Sequence, residues 1–247
     1  MTDTKDPKKY SNDLRNNILR ISLKRYNLVK IILCFFVTVK TILFVLDGTF
    51  IDTAPDLAFA LNSILDEYGL PSKPYEEIKP LVANGGKALI AYGFDIDETD
   101  KSFKDKHQRI LEIYAENISR ESKLFPGISF LINELKSRDI SWGIVTNKPE
   151  YFTHKLLKEI YINPEVVICG DTLEFNKPHP APLLFACDKL SSFPSECLFV
   201  GDDINDMIAG KRAGMKTVAV DYGYGEINSE WNYDYRVQNA KEILDLV

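Results

Sequence analysis

Polar side chains occur directly after three of the apolar segments of this sequence, where they could bind a ligand and act on it. Asp47 follows the first segment, Thr146 and Asn147 follow the second, and Asp202 follows the fourth. If these segments are parallel strands, their carboxyl ends share one edge of a sheet, and ligands bind in the crevice outside that edge. Carboxylate, hydroxyl and amide groups can hold a polar ligand or move a proton. The spacing therefore predicts one polar site assembled from distant parts of the chain.

Such a site requires a parallel sheet, and the pattern of apolar runs predicts one. Short runs rich in β-branched and aromatic residues occupy 42–46, 142–145, 166–169, 198–200 and 217–220. Longer patterns of helical period lie at 128–136, 151–160, 182–190 and 206–213. Continuously apolar strands that alternate with helices are typical of a parallel sheet covered on both faces. We therefore predict an α/β fold.

The segment between the first and second predicted strands is too long for a single crossover helix. It contains helical patterns at 56–67, 75–82, 87–92 and 103–118, with few strand signals. Because it leaves and re-enters the fold near the first strand, we expect it to cover the crevice as a cap. We predict a core domain made of residues 40–52 and 125–247, and a helical cap domain at 53–124.

Residues 1–39 are predicted to lie outside this fold. Residues 12–30 are basic with apolar residues at roughly helical spacing, and 31–39 is almost wholly apolar. That run is too short to span a bilayer, which needs about twenty residues, and no small-residue cleavage site of a secretory signal precedes Lys40. We interpret the segment as an N-terminal extension or as a start-site artefact, with a natural start near Val39. Peripheral membrane attachment is the less favoured alternative.

Composition and charge narrow the classes of partner. With 45% hydrophobic and 27% charged residues, the chain is not disordered or collagen-like. Nine of the 30 Lys and Arg but only three of the 36 Asp and Glu lie in residues 1–40. The remainder is therefore acidic and does not favour nucleic acid, whereas a small phosphorylated metabolite needs only a few positive groups. The four cysteines include no Cys-x-x-Cys pair, as in reduced, cytoplasmic proteins. We expect a monomer or a homodimer.

Four motifs together resemble those of the haloacid dehalogenase (HAD) superfamily. The first, at residues 44–49, is Phe-Val-Leu-Asp-Gly-Thr, similar to the superfamily's Asp-x-Asp-Gly-Thr. The second ends a strand at Thr146, the third contains Lys177, and the fourth pairs Asp202 with Asp206. Each motif taken singly is more typical of a turn or a helix cap, but four in this order favour the resemblance. It implies a Rossmann-like parallel sheet of the HAD type with an inserted α-helical cap.

The resemblance implies a phosphatase that passes through an aspartyl phosphate and uses Mg²⁺. Asp47 would be the general acid and base, and its main-chain carbonyl would face the metal. The Thr146 hydroxyl and the Asn147 N–H would hold phosphoryl oxygens. Lys177 would neutralise the nucleophile and the developing charge.

One position departs from the superfamily's pattern. Val45 occupies the place of the nucleophilic aspartate, although Asp202 would still bind Mg²⁺ directly and Asp206 would hold a metal-bound water or orient the site. Valine cannot attack phosphorus or bind Mg²⁺. We therefore expect impaired activity, and the alternative is a non-catalytic homologue that binds a phospholigand.

Segments of the cap and core also resemble particular branches of the superfamily. Residues 52–57, 82–89 and 142–149 look like phosphoglycolate phosphatases. Residues 201–203, with 222–224 and a later tryptophan, are similar to phosphatases that act on N-acetylmuramic acid 6-phosphate. Both esters carry a carboxylate and a phosphate, and they differ greatly in size.

The cap offers one candidate contact for a substrate carboxylate. Asn84, Gly85 and Gly86 could form a loop that reaches into the crevice, with Lys87 or main-chain N–H groups meeting the carboxylate. A plain interhelical turn is the alternative interpretation. His107 is given no role, because a single histidine without a partner is more often structural.

Overall fold

The computed structural model describes residues 38–247. The predictions made for residues 1–37 lie outside the described residues. From Val39 to the last residue the chain forms one compact unit. In this part of the chain, no helix has the length and apolar character needed to cross a membrane.

A six-stranded sheet with all strands parallel forms the centre of this unit. In spatial order its strands are β5 (Val166–Ile168), β4 (Ser141–Val145), β1 (Thr41–Phe44), β6 (Cys197–Gly201), β7 (Lys216–Val220) and β8 (Tyr235–Val237). All four residues of β1 are buried, as expected for a central strand whose two faces are both covered. The α/β parallel-sheet prediction is confirmed.

Alternate residues of β1 enter two different hydrophobic clusters. Ile42 and Phe44 pack on one face in a cluster that includes residues of α5 (Ile128–Ser137). Leu43 packs on the other face with residues of α7 (Ala181–Lys189). A strand places successive side chains on opposite faces, so the sheet separates two apolar layers and requires helices on both.

The remaining helices of residues 38–247 follow the predicted positions closely. They are α1 (Ala54–Glu67), α2 (Tyr75–Ile78), α3 (Gly85–Phe94), α4 (Phe103–Glu116), α6 (Glu150–Glu159) and α8 (Ile204–Ala213). The helix predicted at 75–82 is interrupted, because 3₁₀ structure takes over at Lys79–Asn84. Pro80 lies at the start of this stretch and has no N–H to continue the α-helical hydrogen bonds.

Two short strands connect the helical segment 53–124 to the sheet. β2 (Ile51–Asp52) and β3 (Lys123–Leu124) pair antiparallel, so the chain leaves and returns at one place. The buried Asp56 carboxylate accepts hydrogen bonds from the Glu121 and Ser122 N–H groups at 2.8 and 2.9 Å. We refer to residues 53–124 as the cap segment, and its status as a separate domain stays a prediction.

The strand register brings the polar motifs to one edge. Phe44 lies opposite Ile144 of β4 and Val200 of β6, so the residues that follow these three strands emerge side by side. β8 was not predicted from the sequence. Two of its three residues are exposed, so it carries no apolar run of the kind used to identify the other strands.

Candidate active site

A cavity of about 440 Å³ lies at the carboxyl edge of the central strands. It brings together nearly all residues that the sequence predicted for the site: Val45, Asp47, Asn84, Gly85, Gly86, Thr146, Asn147, Lys177, Asp202 and Asp206. The cavity also contacts residues that had no predicted role, namely His107, Tyr114 and Lys148. Residues from the sheet and from the cap segment therefore line one space.

Lys87 is the one predicted residue that the structure does not bring to the cavity. Its Nζ lies 2.7 Å from Glu98 Oε2, and both side chains are more than half exposed. The lysine therefore makes a surface ion pair. The predicted contact between Lys87 and a substrate carboxylate has no support in this geometry.

Lys177 and Asp206 form an ion pair that is almost fully buried. Lys177 Nζ lies 2.7 Å from Asp206 Oδ1, and the two side chains are 4% and 3% exposed. The other oxygen, Asp206 Oδ2, accepts the Asp203 N–H at 3.0 Å in a capping box at the start of α8. Capping thus fixes the Asp206 carboxylate, which in turn holds the lysine ammonium at the cavity.

Asp202 is a second buried carboxylate, and it has no lysine of its own. Its Oδ1 accepts the Thr49 hydroxyl at 2.7 Å and its Oδ2 accepts the Tyr224 N–H at 3.0 Å. Burial and the neighbouring Asp206 carboxylate raise the pKa of Asp202 to about 7. A buried carboxylate with an excess of nearby negative charge favours binding of a proton or a cation.

The glycine of the first motif permits this arrangement. Gly48 has a φ of +79°, and a Cβ on it would lie 2.0 Å from Asp202 Oδ2. Only glycine combines this left-handed backbone with so close an approach. The Asp-Gly-Thr sequence therefore places a turn and the Thr49 hydroxyl against Asp202 at the same time.

Asp47 lies at the boundary between the sheet and the cap segment. Its Oδ1 accepts the Thr53 hydroxyl at 2.6 Å and the Lys148 ammonium at 2.9 Å. The Asp47 side chain is 18% exposed, which leaves it accessible from the cavity. A carboxyl group in this position can give a proton to a bound ligand or take one from it.

Sequence reasoning missed Lys148, although it lies two residues after Thr146 in the second motif. Its side chain is only 8% exposed, and its ammonium lies 4.6 Å from the centroid of the Tyr114 ring. Burial opposes the charge, but Asp47 and Tyr114 together hold the pKa of Lys148 above its usual range. A lysine directly beyond a buried strand end was the available signal.

The two polar residues after β4 have different surroundings. Thr146 is buried, and its Oγ1 accepts the Lys148 N–H at 3.1 Å. The side chain of Asn147 bonds the main chain of Lys177 twice, accepting its N–H at 3.1 Å and donating to its carbonyl at 3.0 Å. The Asn147 side chain thus fixes the loop that carries Lys177.

Val45 lines the same cavity and supplies no polar side-chain atom to it. It is 7% exposed and packs with Val145 and Phe199 in the cluster on one face of the sheet. Its N–H donates to the Val200 carbonyl at 2.9 Å, which extends the pairing of β1 with β6. The strand therefore keeps its course at this position, with an isopropyl group directed to the site.

The remaining donors are compatible with a Mg²⁺ ion, although they are fewer than the resemblance implies. Asp202 and Asp47 offer hard oxygen atoms of the kind that Mg²⁺ prefers, and burial together with the Asp206 carboxylate raises the pKa of Asp202. Within residues 38–247, however, no group of three or more His, Cys, Asp or Glu residues is suited to hold a metal ion. Valine at position 45 leaves the set one carboxylate short of the pattern implied by the resemblance.

Comparisons with known proteins agree with this geometry. The profile of the haloacid dehalogenase-like hydrolases matches residues 42–220. The N-acetylmuramic acid 6-phosphate phosphatase of Pseudomonas putida is 34% identical over 213 residues, which cover 84% of this chain and 96% of that protein. The phosphoglycolate phosphatase of Xanthomonas campestris pv. campestris is 37% identical over 212 residues, covering 83% and 95%.

A solved structure shows the same fold. The crystal structure of a predicted phosphoglycolate phosphatase from Haemophilus somnus superimposes with a TM-score of 0.74 at 29% identity, covering 84% of this chain and 97% of that one. This chain belongs to the haloacid dehalogenase-like hydrolase family.

Proposed function

We propose that this chain carries the site of a Mg²⁺-dependent phosphatase for a small carboxylated phosphate monoester, with turnover impaired by Val45. The proposal depends on the arrangement of four side chains around a single cavity. They are the carboxyl group of Asp47, the strand-end hydroxyl of Thr146, the buried ammonium of Lys177 and the buried carboxylate of Asp202. Phosphoryl transfer depends mainly on positioning and charge stabilisation, and these groups supply both.

Each side chain takes a distinct part in the proposed reaction. The Thr146 hydroxyl and the Asn147 N–H bind phosphoryl oxygens, and Lys177 stabilises their negative charge. With an aspartate at position 45 to accept the phosphoryl group as an aspartyl phosphate, Asp47 would give a proton to the leaving ester oxygen and would later take one from the water that hydrolyses that intermediate. Mg²⁺, held by Asp202 and the Asp47 carbonyl with Asp206 in support, would neutralise phosphoryl charge.

Val45 limits the rate of the proposed reaction. A covalent phosphatase mechanism needs a nucleophile in line with the phosphorus, and the valine side chain has none. Loss of the nucleophile from such a mechanism costs about a million-fold in turnover, while the remaining residues still bind. The alternative is therefore a non-catalytic member of the family that binds a phospholigand.

The substrate is proposed from the relatives and from the cavity. The two curated relatives act, by name, on N-acetylmuramic acid 6-phosphate and on phosphoglycolate, and both compounds combine a phosphate with a carboxylate. The cap segment contributes Asn84, Gly85 and Gly86 to the cavity lining. We place the reaction in the cytoplasm, in keeping with buried free thiols at Cys169, Cys187 and Cys197.

A direct test compares this chain with its Val45→Asp variant. Phosphate release is measured from phosphoglycolate and from N-acetylmuramic acid 6-phosphate, with Mg²⁺ and with EDTA. We expect turnover only for the Val45→Asp variant and only with Mg²⁺. A folded Val45→Asp variant that releases no phosphate from either ester would refute the proposed substrate class, whereas binding of both esters without turnover would favour the alternative.

A further inference from the structure

The cavity contains two hydrogen-bond donors that the proposed reaction does not use, the Lys148 ammonium and the Tyr114 hydroxyl. We infer that they bind the substrate's carboxylate and select a phosphate ester whose carboxylate lies one carbon from the ester oxygen. This inference rests on the proposed function and concerns the same cavity. It assigns to Lys148 the contact that the sequence suggested for Lys87.

Lys148 is placed to meet an anion inside the cavity. It follows β4, and its Nζ reaches Asp47 Oδ1 at 2.9 Å. Asp47 is the one carboxylate paired with this ammonium among the described residues, although an ammonium has three donor hydrogens. The side chain is 8% exposed, so a ligand oxygen would meet the ammonium with little competition from water.

Tyr114 supplies the second donor, from the cap segment. It lies on α4 and is 2% exposed, its hydroxyl lies beside the Lys148 ammonium, and the hydroxyl proton has no acceptor among residues 38–247. Burial raises the pKa of Tyr114 to about 12, so the hydroxyl keeps its proton at neutral pH. A buried hydroxyl without a partner costs free energy until a ligand provides an acceptor.

The chemistry of the pair identifies the ligand group. An ammonium and a phenol together offer donors to an acceptor with two oxygens and a negative charge, which describes a carboxylate. Because Tyr114 belongs to the cap segment and Lys148 to the sheet, the carboxylate would contact both parts of the protein.

The position of Lys148 also restricts how far the ligand's carboxylate can lie from its ester oxygen. Its ammonium is hydrogen-bonded to Asp47, and Asp47 in the proposed reaction meets the ester oxygen. A carboxylate at Lys148 must therefore lie within a few bonds of that oxygen. The phosphate ester of an α-hydroxy acid, such as phosphoglycolate, satisfies this spacing, whereas the carboxylate of a muramic acid 6-phosphate lies across the sugar ring from its phosphate.

The test measures binding, because Val45 allows intact esters to be titrated without turnover. Affinities for phosphoglycolate and for ethyl phosphate, which lacks the carboxylate, are measured by calorimetry in the presence of Mg²⁺. The variants are Lys148→Met and Tyr114→Phe. Lys87→Met tests the substrate-carboxylate contact that the sequence suggested for Lys87. Lys104→Met is a control that removes an exposed lysine on the same helix as Tyr114.

We expect the unmodified chain to prefer phosphoglycolate over ethyl phosphate by about 10- to 100-fold, the range of a charge-assisted hydrogen bond. Lys148→Met should remove most of that preference, and Tyr114→Phe part of it, while Lys104→Met and Lys87→Met retain it. A preference that survives in Lys148→Met, or that disappears in Lys87→Met, would overturn the inference and leave the proposed function intact.

Equal binding of both esters by the unmodified chain, together with phosphate release by its Val45→Asp variant, refutes the carboxylate contact alone. Absence of binding by this chain and of turnover by a folded Val45→Asp variant refutes the proposed function and the inference with it.

Discussion

Tyr224 joins the buried carboxylate of Asp202 to the entrance of the cap segment. Its N–H donates to Asp202 Oδ2 at 3.0 Å. Its hydroxyl accepts the Thr53 and Ala54 N–H groups at 2.6 and 2.9 Å and donates to Asp52 Oδ1 at 2.9 Å. One side chain therefore satisfies the first N–H groups of α1 and ties that helix to the loop beside the site.

Tyr224→Phe should lower the free energy of unfolding by about 1–3 kcal/mol, because two buried N–H groups and a carboxylate oxygen lose their partner. Urea unfolding measures the change. Tyr222→Phe is the matched control, since the Tyr222 hydroxyl is buried without a partner among residues 38–247 and its removal should be neutral or stabilising. Equal losses in the two variants would contradict a role for the Tyr224 hydroxyl in holding α1.

Gly48→Ala should destabilise the fold more than Gly214→Ala. Both glycines have positive φ, of +79° and +78°, so alanine meets similar backbone strain at either position. At Gly48 the added methyl would also collide with Asp202, whereas at Gly214 nothing lies within 4 Å. We expect Gly48→Ala to lose about 1–3 kcal/mol more of the free energy of unfolding than Gly214→Ala, as measured by denaturant unfolding. Similar losses in the two variants would show that the loop carrying Gly48 shifts without cost.

The stability of the metal-free protein should fall as pH rises from about 4 to about 7. The pKa of Asp202 is raised to about 7 by burial and by Asp206, while an aspartate in the unfolded chain titrates near 4. In that interval the folded state binds the extra proton, so unfolding becomes easier with increasing pH. The Asp202 contribution levels off above pH 7.

Urea unfolding in EDTA between pH 5 and pH 8 measures how the free energy of unfolding changes with pH. Asp202→Asn should flatten this pH dependence, because an amide has no proton to lose and can still bond the Thr49 hydroxyl and the Tyr224 N–H. Mg²⁺ should stabilise the unmodified chain more at pH 8 than at pH 5. An identical pH profile in the Asn variant would show that Asp202 is ionised throughout this range.

Lys177→Met should cost about 3–5 kcal/mol of stability, because it leaves the Asp206 carboxylate buried without its cation. The partly exposed pair Lys211–Asp234, with side chains 29% and 14% exposed, provides the comparison, and Lys211→Met should cost at most about 1 kcal/mol. Thermal or urea unfolding distinguishes these values. Comparable losses would mean that water reaches the Lys177 pair.

The parts of the site that the sequence predicted are those that depend on strand ends. Apolar runs located β1, β4 and β6, and their parallel pairing necessarily placed Val45, Thr146 and Asp202 at one edge. No knowledge of the helices was needed for this step, because register within a sheet follows from the buried pattern.

The parts that the sequence missed depend on which segments face each other across the cavity. Local periodicity gave no reason to prefer Lys148 over Lys87 as the contact for a substrate carboxylate. Which lysine faces the cavity depends on how α4 lies over the end of β4. The inward direction of Tyr114 has the same origin. The bonds from the Asn147 side chain to Lys177 likewise join residues that are distant in the sequence.

In the proposed function, the carboxylate missing at position 45 is what prevents turnover at this site. Phosphate release from phosphoglycolate is therefore measured for the unmodified chain and for Val45→Asp and Val45→Asn, whose new side chains have nearly the same size. We predict release by the Asp variant about 10⁴- to 10⁶-fold above the other two. Equal rates for the Asp and Asn variants, or for the Asp variant and the unmodified chain, would contradict it.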